Sequence, residues 1–146
     1  MRPKILFLCT GNACRSQMAE GWARHLLGGA VEPHSAGVEQ RALDPLALQA
    51  MAEAGVDISG QQSKTVAELP TGDFDLVVTV CDSVREACPV LPGARRVVHA
   101  PFDDPPRLAA GARTGGEAFA HYRRVRDEIR AFVETLPEIL KRKEGP

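Results

Sequence analysis

Lys4-Ile-Leu-Phe-Leu-Cys9, Thr10-Gly-Asn-Ala-Cys14 and Arg15-Ser-Gln-Met-Ala-Glu-Gly-Trp22 follow one another without a break, and their reading decides the fold. The first piece is an unbroken apolar run, the pattern of a strand buried on both faces of a parallel sheet. In the third, Met18, Ala19, Trp22, Ala23 and Leu26 recur at helix spacing, and Gly28-Gly29 supplies the stop. The middle piece is the loop between them. The unit is strand, loop, helix.

Within it, Cys9 and Arg15 have the spacing C-x5-R, with Ser16 following. A loop that joins a strand to a helix N-terminus can aim consecutive backbone N–H groups at one tetrahedral anion, and the helix dipole adds partial positive charge. The expected oxyanion-binding set is Thr10, Gly11, Asn12, Ala13, Cys14 and Arg15, with Gly11 permitting the tight curve. Arg15 can hold two anion oxygens with its planar fork. The same field is expected to favour a Cys9 thiolate at neutral pH, with the Ser16 hydroxyl stabilising it. A plainer reading makes Cys9 a small buried hydrophobe and Arg15 a surface helix residue. The spacing alone arises often by chance; with the strand, glycine, serine and helix around it, the catalytic loop is the better account.

Outward from this unit, Val31 to Ser35 reads as a weaker strand ending at Gly37. Asp44 reads as an N-cap with Pro45 at the first helical position, followed by the stripe Leu43, Ala47, Ala50, Met51 and Ala54 before Gly55. Thr65-Val-Ala-Glu68 has the form of a capping box. Phe74 to Val80 is a second buried strand, with Cys81 at its C-terminal end. Arg95 to His99 is a last short strand, and a Pro-rich loop from Pro101 to Arg113 carries Asp103 and Asp104. Thr114 with Glu117 can cap a long helix whose inner face is Phe119, Tyr122, Ile129, Phe132, Val133 and Leu136. Pro137 should end or kink it, and Lys141 to Pro146 should fray. The alternation predicts a three-layer α/β fold over residues 1–146, one domain, with a four-stranded parallel sheet and helices on both faces. Sites in such sheets lie at the C-terminal ends of strands, where Cys9 and Cys81 both fall.

The 146 residues suffice for one core without disulfides, and a net charge of −1 offers no general attraction to nucleic acid or anionic lipid. The apolar run Ile5 to Leu8 is too short for a signal-peptide core or a membrane span, which predicts a cytoplasmic protein. In a reducing compartment Cys9, Cys14, Cys81 and Cys88 read as catalytic, redox-active or metal-binding thiols rather than a structural framework. The separation of Cys81 from Cys88 is not that of a zinc knuckle, and no metal or cofactor is expected.

The chain resembles the low-molecular-weight protein tyrosine phosphatase fold, and within it the thioredoxin-coupled arsenate reductases more closely than the phosphatases. The resemblance is carried by Cys9 to Trp22, Ser35-Ala-Gly37, Asp75-Leu-Val-Val-Thr-Val-Cys81, Cys88-Pro-Val-Leu-Pro92, Phe102-Asp-Asp-Pro105 and Arg124-Val-Arg-Asp-Glu-Ile129. It implies that Asp104, directly before the proline, is the general acid, with its pKa raised by burial and the nearby anion; Asp103 ranks second to it. It further implies a relay. The Cys9 thiolate attacks arsenate, Cys81 attacks Cys9 to release arsenite, and Cys88 attacks Cys81 to form a disulfide that thioredoxin reduces. The polar segment Asp82 to Ala87 is expected to move during that relay, and Cys14 is assigned only a packing role.

The phosphatases of the fold usually place an aromatic residue after Asp-Pro to grip a phenyl ring, and Pro106 stands there instead. The site therefore suits arsenate, with phosphate as a close mimic and weak phosphatase activity as a by-product. Trp22 and Tyr122 read as core residues, and His25, His34, His99 and His121 as surface or satisfied core groups rather than bases. Asn12, Glu20 and Ser35 match positions that arrange the loop in some arsenate reductases, in certain members with a potassium ion. Gln61-Gln-Ser-Lys64 offers Lys64 where the last acidic ligand would stand, so no potassium dependence is expected. The expected state is a monomer, with arsenate, phosphate and thioredoxin as partners. Two other readings stay open: a phosphatase whose Cys81 and Cys88 protect Cys9 from peroxide or are inert core thiols, and a non-enzymatic oxyanion or redox sensor.

Overall fold

The computed structural model describes residues 2–69, 72–82 and 94–142. Strand β1, Lys4–Cys9, lies inside a four-stranded sheet of order β2-β1-β3-β4, with β2 at Glu32–Gly37, β3 at Leu76–Thr79 and β4 at Val97–His99. Every pairing is parallel. An inner parallel strand has protein against both faces, which is why the β1 run is apolar throughout. Ile5, Phe7 and Cys9 join the larger core cluster, and Leu6 and Leu8 join the smaller one, as side-chain alternation along a strand requires. From β1 the chain goes first to β2 on one side and later to β3 on the other. A crevice therefore opens at the C-terminal ends of these strands.

Helix α1, Arg15–Leu27, and helix α2, Pro45–Glu53, contribute Met18, Ala19, Trp22, Ala47, Ala50 and Met51 to the larger cluster. Asp44 caps α2 by accepting the Leu46 N–H at 2.9 Å. Helix α4, Gly115–Val133, begins where Thr114 Oγ1 accepts the Glu117 N–H at 3.0 Å. Its buried stripe is Tyr122, Val125, Ile129 and Val133; Phe119 and Phe132 lie at the margins, partly buried. Val125 completes the stripe, one turn from Tyr122 and one from Ile129, and was not among the expected core residues. The indole N–H of Trp22 donates to the Arg126 carbonyl at 3.1 Å, fastening α1 to α4. On the opposite face a 3-10 turn, Val66–Glu68, supplies Val66, with Leu69 following, against Leu6, Leu8, Ala36, Phe74 and Val77. The Glu68 carboxylate accepts from the N–H and the hydroxyl of Thr65.

Two local expectations need adjustment, and one at Pro137 is met. The strand expected over Phe74 to Val80 is regular only over Leu76–Thr79. The stretch Pro101 to Arg113 is not loop throughout: it contains helix α3, Pro105–Ala110, with Asp104 extended at the N-cap position. Pro105 and Pro106 belonged to the expected Pro-rich loop, yet a proline in the first turn loses no hydrogen bond and its φ already suits a helix. Pro137 lacks the N–H that would reach the Val133 carbonyl, and α4 stops at Val133. The same residue then sits in the first turn of α5, Leu136–Lys141. The fraying expected at Lys141 to Pro146 falls mostly outside the described residues. No helix among the described residues is long and apolar enough to cross a membrane.

Candidate active site

Cys9 ends β1 with 3% of its surface exposed, and the loop from Thr10 to Cys14 turns from it into α1. The loop's carbonyls all face outward to partners. Thr10 O accepts the N–H groups of Val38 and Glu39 at 2.9 and 3.1 Å, and Gly11 O accepts the Arg41 N–H at 3.2 Å. Asn12 O accepts Gln17 Nε2 at 3.0 Å; Ala13 O accepts the Asp44 N–H and Cys14 O the Met18 N–H, both at 2.9 Å. In a trans peptide the N–H points opposite to the C=O, so the N–H groups from Gly11 onward turn away from these partners. The Asn12 N–H donates to Cys9 Sγ at 3.3 Å.

The curve's left-handed residue is Asn12, φ 52°, not Gly11 as expected. Asparagine tolerates that conformation when its side chain is bonded locally. Here Asn12 Nδ2 donates to Ser16 Oγ at 2.8 Å, while Oδ1 accepts the Lys64 N–H at 2.8 Å and Gln17 Nε2 at 3.1 Å. A Cβ on Gly11 would meet the exposed Arg41 side chain, Cδ at 2.7 Å, which is free to swing aside. Ser16 Oγ lies 2.8 Å from Cys9 Sγ. Because that oxygen already accepts from Asn12, its own proton is available to the sulfur.

Arg15 is buried, donates from Nη1 to the Phe102 carbonyl at 3.2 Å, and holds Nη2 3.6 Å from Asp104 Oδ1. The structure thus pairs Cys9 with Ser16 and Arg15 with Asp104. Asp103 is turned away to Arg124, at 3.0 Å. Cys14 is a buried free thiol; burial first, then the facing carboxylates of Asp44 and Asp104, push it well above the ordinary thiol range. Cys81 is buried and disulfide-bonded, whereas Cys9 is free. Leu8 pairs with Thr79, so Cys81 comes one residue past the point opposite Cys9 at the adjacent strand end. Cys88 and most of the segment expected to move, residues 83–87, lie outside the described residues.

Behind the loop, the Glu20 carboxylate accepts the Ser35 hydroxyl, pairs with Arg24 at 2.6 Å, and has Lys64 Nζ at 4.0 Å. Sequence reasoning missed Val38 to Arg41, Ser63 and the Phe102 carbonyl as neighbours of the loop, and it saw Asp44 only as a helix cap. Main-chain contacts leave no residue-type signature. Tyr122 did leave one, a hydroxyl on an otherwise apolar stripe.

The chain matches the family described as low molecular weight phosphotyrosine protein phosphatase over residues 4–145. It is 46% identical over 134 residues to an arsenate reductase of Halalkalibacterium halodurans, covering 92% of this chain and 94% of that protein. Among solved structures, an arsenate reductase in the phosphate binding state superposes with a TM-score of 0.79 at 31% identity, covering 97% of this chain and 100% of that one. A thioredoxin-dependent arsenate reductase of Corynebacterium glutamicum gives a TM-score of 0.65 at 26% identity, over 96% of this chain and 62% of that one.

Proposed function

We propose that the chain, which belongs to the low molecular weight phosphotyrosine protein phosphatase family, reduces arsenate to arsenite with electrons from its own thiols. The observation that carries this reading is Cys81, a buried, disulfide-bonded cysteine at the strand end adjacent to Cys9. Hydrolysis of a phosphocysteine uses one thiol, one arginine and one acid, with no task for a second cysteine. Reduction of As(V) takes two electrons, which two thiols supply on becoming a disulfide. The relatives named arsenate reductase support the same choice.

In the proposed cycle the loop from Thr10 to Arg15 holds a tetrahedral arsenate, with two of its oxygens on the Arg15 guanidinium. The Cys9 thiolate, stabilised by Ser16, attacks arsenic, and Asp104 protonates the departing oxygen, which leaves as water. The Cys81 thiolate then attacks Cys9 Sγ. An S–S bond forms, the S–As bond breaks, and its electron pair passes to arsenic, which departs as arsenite. Cys88 attacks Cys81 and frees the Cys9 thiolate. Thioredoxin reduces the Cys81–Cys88 disulfide, which belongs in a reducing, cytoplasmic compartment; the thioredoxin-dependent relative supports that donor. Phosphate has nearly the shape of arsenate, so slow hydrolysis of aryl phosphates accompanies the main reaction. No step runs through a potassium ion, because Arg24 and Lys64 already face Glu20.

The test follows NADPH oxidation with arsenate, thioredoxin and thioredoxin reductase in the wild type and in Cys81→Ser and Cys88→Ser. Turnover is expected in the wild type alone, at the same rate in KCl and NaCl. Aryl phosphate hydrolysis without arsenate-dependent NADPH oxidation would make the protein a phosphatase. Normal turnover by Cys88→Ser would remove the third thiol from the relay.

A further inference from the structure

We infer that Tyr122 and Asp44 form a positioning pair that holds the anion loop in shape from outside, an inference that rests on reading the loop as an oxyanion site. The chain from Val38 to Asp44 runs as a collar round the outer side of the loop, and its N–H groups take the carbonyls of Thr10, Gly11 and Ala13. Where the collar lies therefore decides where the loop's own N–H groups point. At its start the collar is held by the sheet: Gly37 pairs with Cys9, and its N–H donates to Lys64 O at 2.9 Å. Midway, Gln40 Nε2 donates to Ser63 O at 3.0 Å and the Arg41 N–H to Ser63 Oγ at 3.3 Å.

At its far end the Asp44 carboxylate ties the collar to two helices. Asp44 uses both carboxylate oxygens, Oδ1 for the Leu46 N–H at 2.9 Å and Oδ2 for the Tyr122 hydroxyl at 2.6 Å. Tyr122 comes from the middle of α4, 2% exposed, in a stripe otherwise made of Val125, Ile129 and Val133. A hydroxyl on such a face costs stability unless it is bonded, and a bond to a carboxylate is among the stronger kinds. Its ring stacks on Phe119, centroids 6.5 Å apart, so the hydroxyl is aimed by packing. Burial and then the Asp44 carboxylate hold the hydroxyl protonated. The pair's effect on chemistry runs through the bond from the Asp44 N–H to Ala13 O, the contact between collar and loop nearest α1.

Calorimetric titration with inorganic phosphate, paired with steady-state arsenate kinetics, tests this. Tyr122→Phe is expected to weaken phosphate about tenfold, raising KM for arsenate by a similar factor with a smaller fall in kcat. Thr114→Ala, which removes the cap of the same helix away from the collar, is expected to lower the melting temperature and leave phosphate affinity unchanged. Asp44→Asn keeps the α2 cap through Oδ1 and can reverse the second bond, its amide donating to the tyrosine oxygen; it should bind phosphate within about threefold of wild type, while Asp44→Ala loses about tenfold or more. Wild-type affinity and KM in Tyr122→Phe would overturn the pair, as would equal affinities in wild type, Asp44→Asn and Asp44→Ala if Tyr122→Phe does not fold. Absence of phosphate binding in the wild type itself would instead overturn the oxyanion reading beneath it.

Discussion

Cys9 and Cys14 share one short loop, both buried and both free thiols, yet their neighbours separate them chemically. Cys9 Sγ receives the Asn12 N–H and sits 2.8 Å from the Ser16 hydroxyl, donors suited to a thiolate. Cys14 meets burial and two carboxylates, which keep its proton in place. Brief alkylation with iodoacetamide at pH 7, read by mass spectrometry, is therefore expected to label Cys9 and spare Cys14. In Ser16→Ala the labelling of Cys9 should slow about tenfold, because thiolate reactivity follows its stabilisation. Labelling of Cys14 ahead of Cys9 would contradict this division. Asn12 shows the same economy of position: it takes the left-handed turn and spends its amide on Ser16, Gln17 and Lys64.

The elements meet the loop by close approach of backbone to backbone, most tightly where β2 ends. A Cβ on Gly37 would lie 2.7 Å from Thr10 O and 2.9 Å from Asn12 N, and neither atom can swing aside as a side chain could. Gly37→Ala must therefore push the β2 end and the collar away from the loop. Its expected cost is about 1–3 kcal/mol, measured as a lowered urea midpoint, with phosphate binding lost from the folded fraction. An alanine variant that binds phosphate as the wild type does would mean the loop is held by something other than this contact. Helix α3 matters at this scale too. It starts at Pro105, directly after Asp104, so the residue proposed as acid is the N-cap of a helix packed on α4 rather than a point on a free loop.

Across the whole molecule, α2 and α4 are joined at the surface by Glu53, which accepts from Arg123 Nε and Nη2 and from Arg126 Nη1. Hydrogen bonds from Arg123 and then Arg126 hold the Glu53 carboxyl at about 2, below its ordinary 4.5. A carboxyl held low in the folded state adds stability that is full above the unfolded value and is lost as pH falls through the folded one. The stability difference between wild type and Glu53→Gln is thus expected to be constant above about pH 4.5 and to vanish toward pH 2, as read from urea midpoints against pH. A difference that persisted at pH 2 would assign the contact to packing of the arginine stems. At the same scale lies the division between what could be read along the chain and what could not. The amino-acid order by itself determined β1, the turn into α1, the caps at Asp44 and Thr114 and the parallel α/β class, because burial on two faces, helix periodicity and capping are local patterns. It left α3 unread, since proline has the opposite meaning inside a helix and at its start, and it gave the loop's curve to Gly11 rather than Asn12. Only the tertiary structure decided the strand order, the collar round the loop, the meeting of Arg15 with Phe102 O and Asp104, and the bond from Tyr122 to Asp44. These join residues far apart in the chain, mostly through main-chain atoms that every residue carries and that leave no mark in spacing or composition; the hydroxyl of Tyr122 on an apolar stripe marked a bond but not its partner.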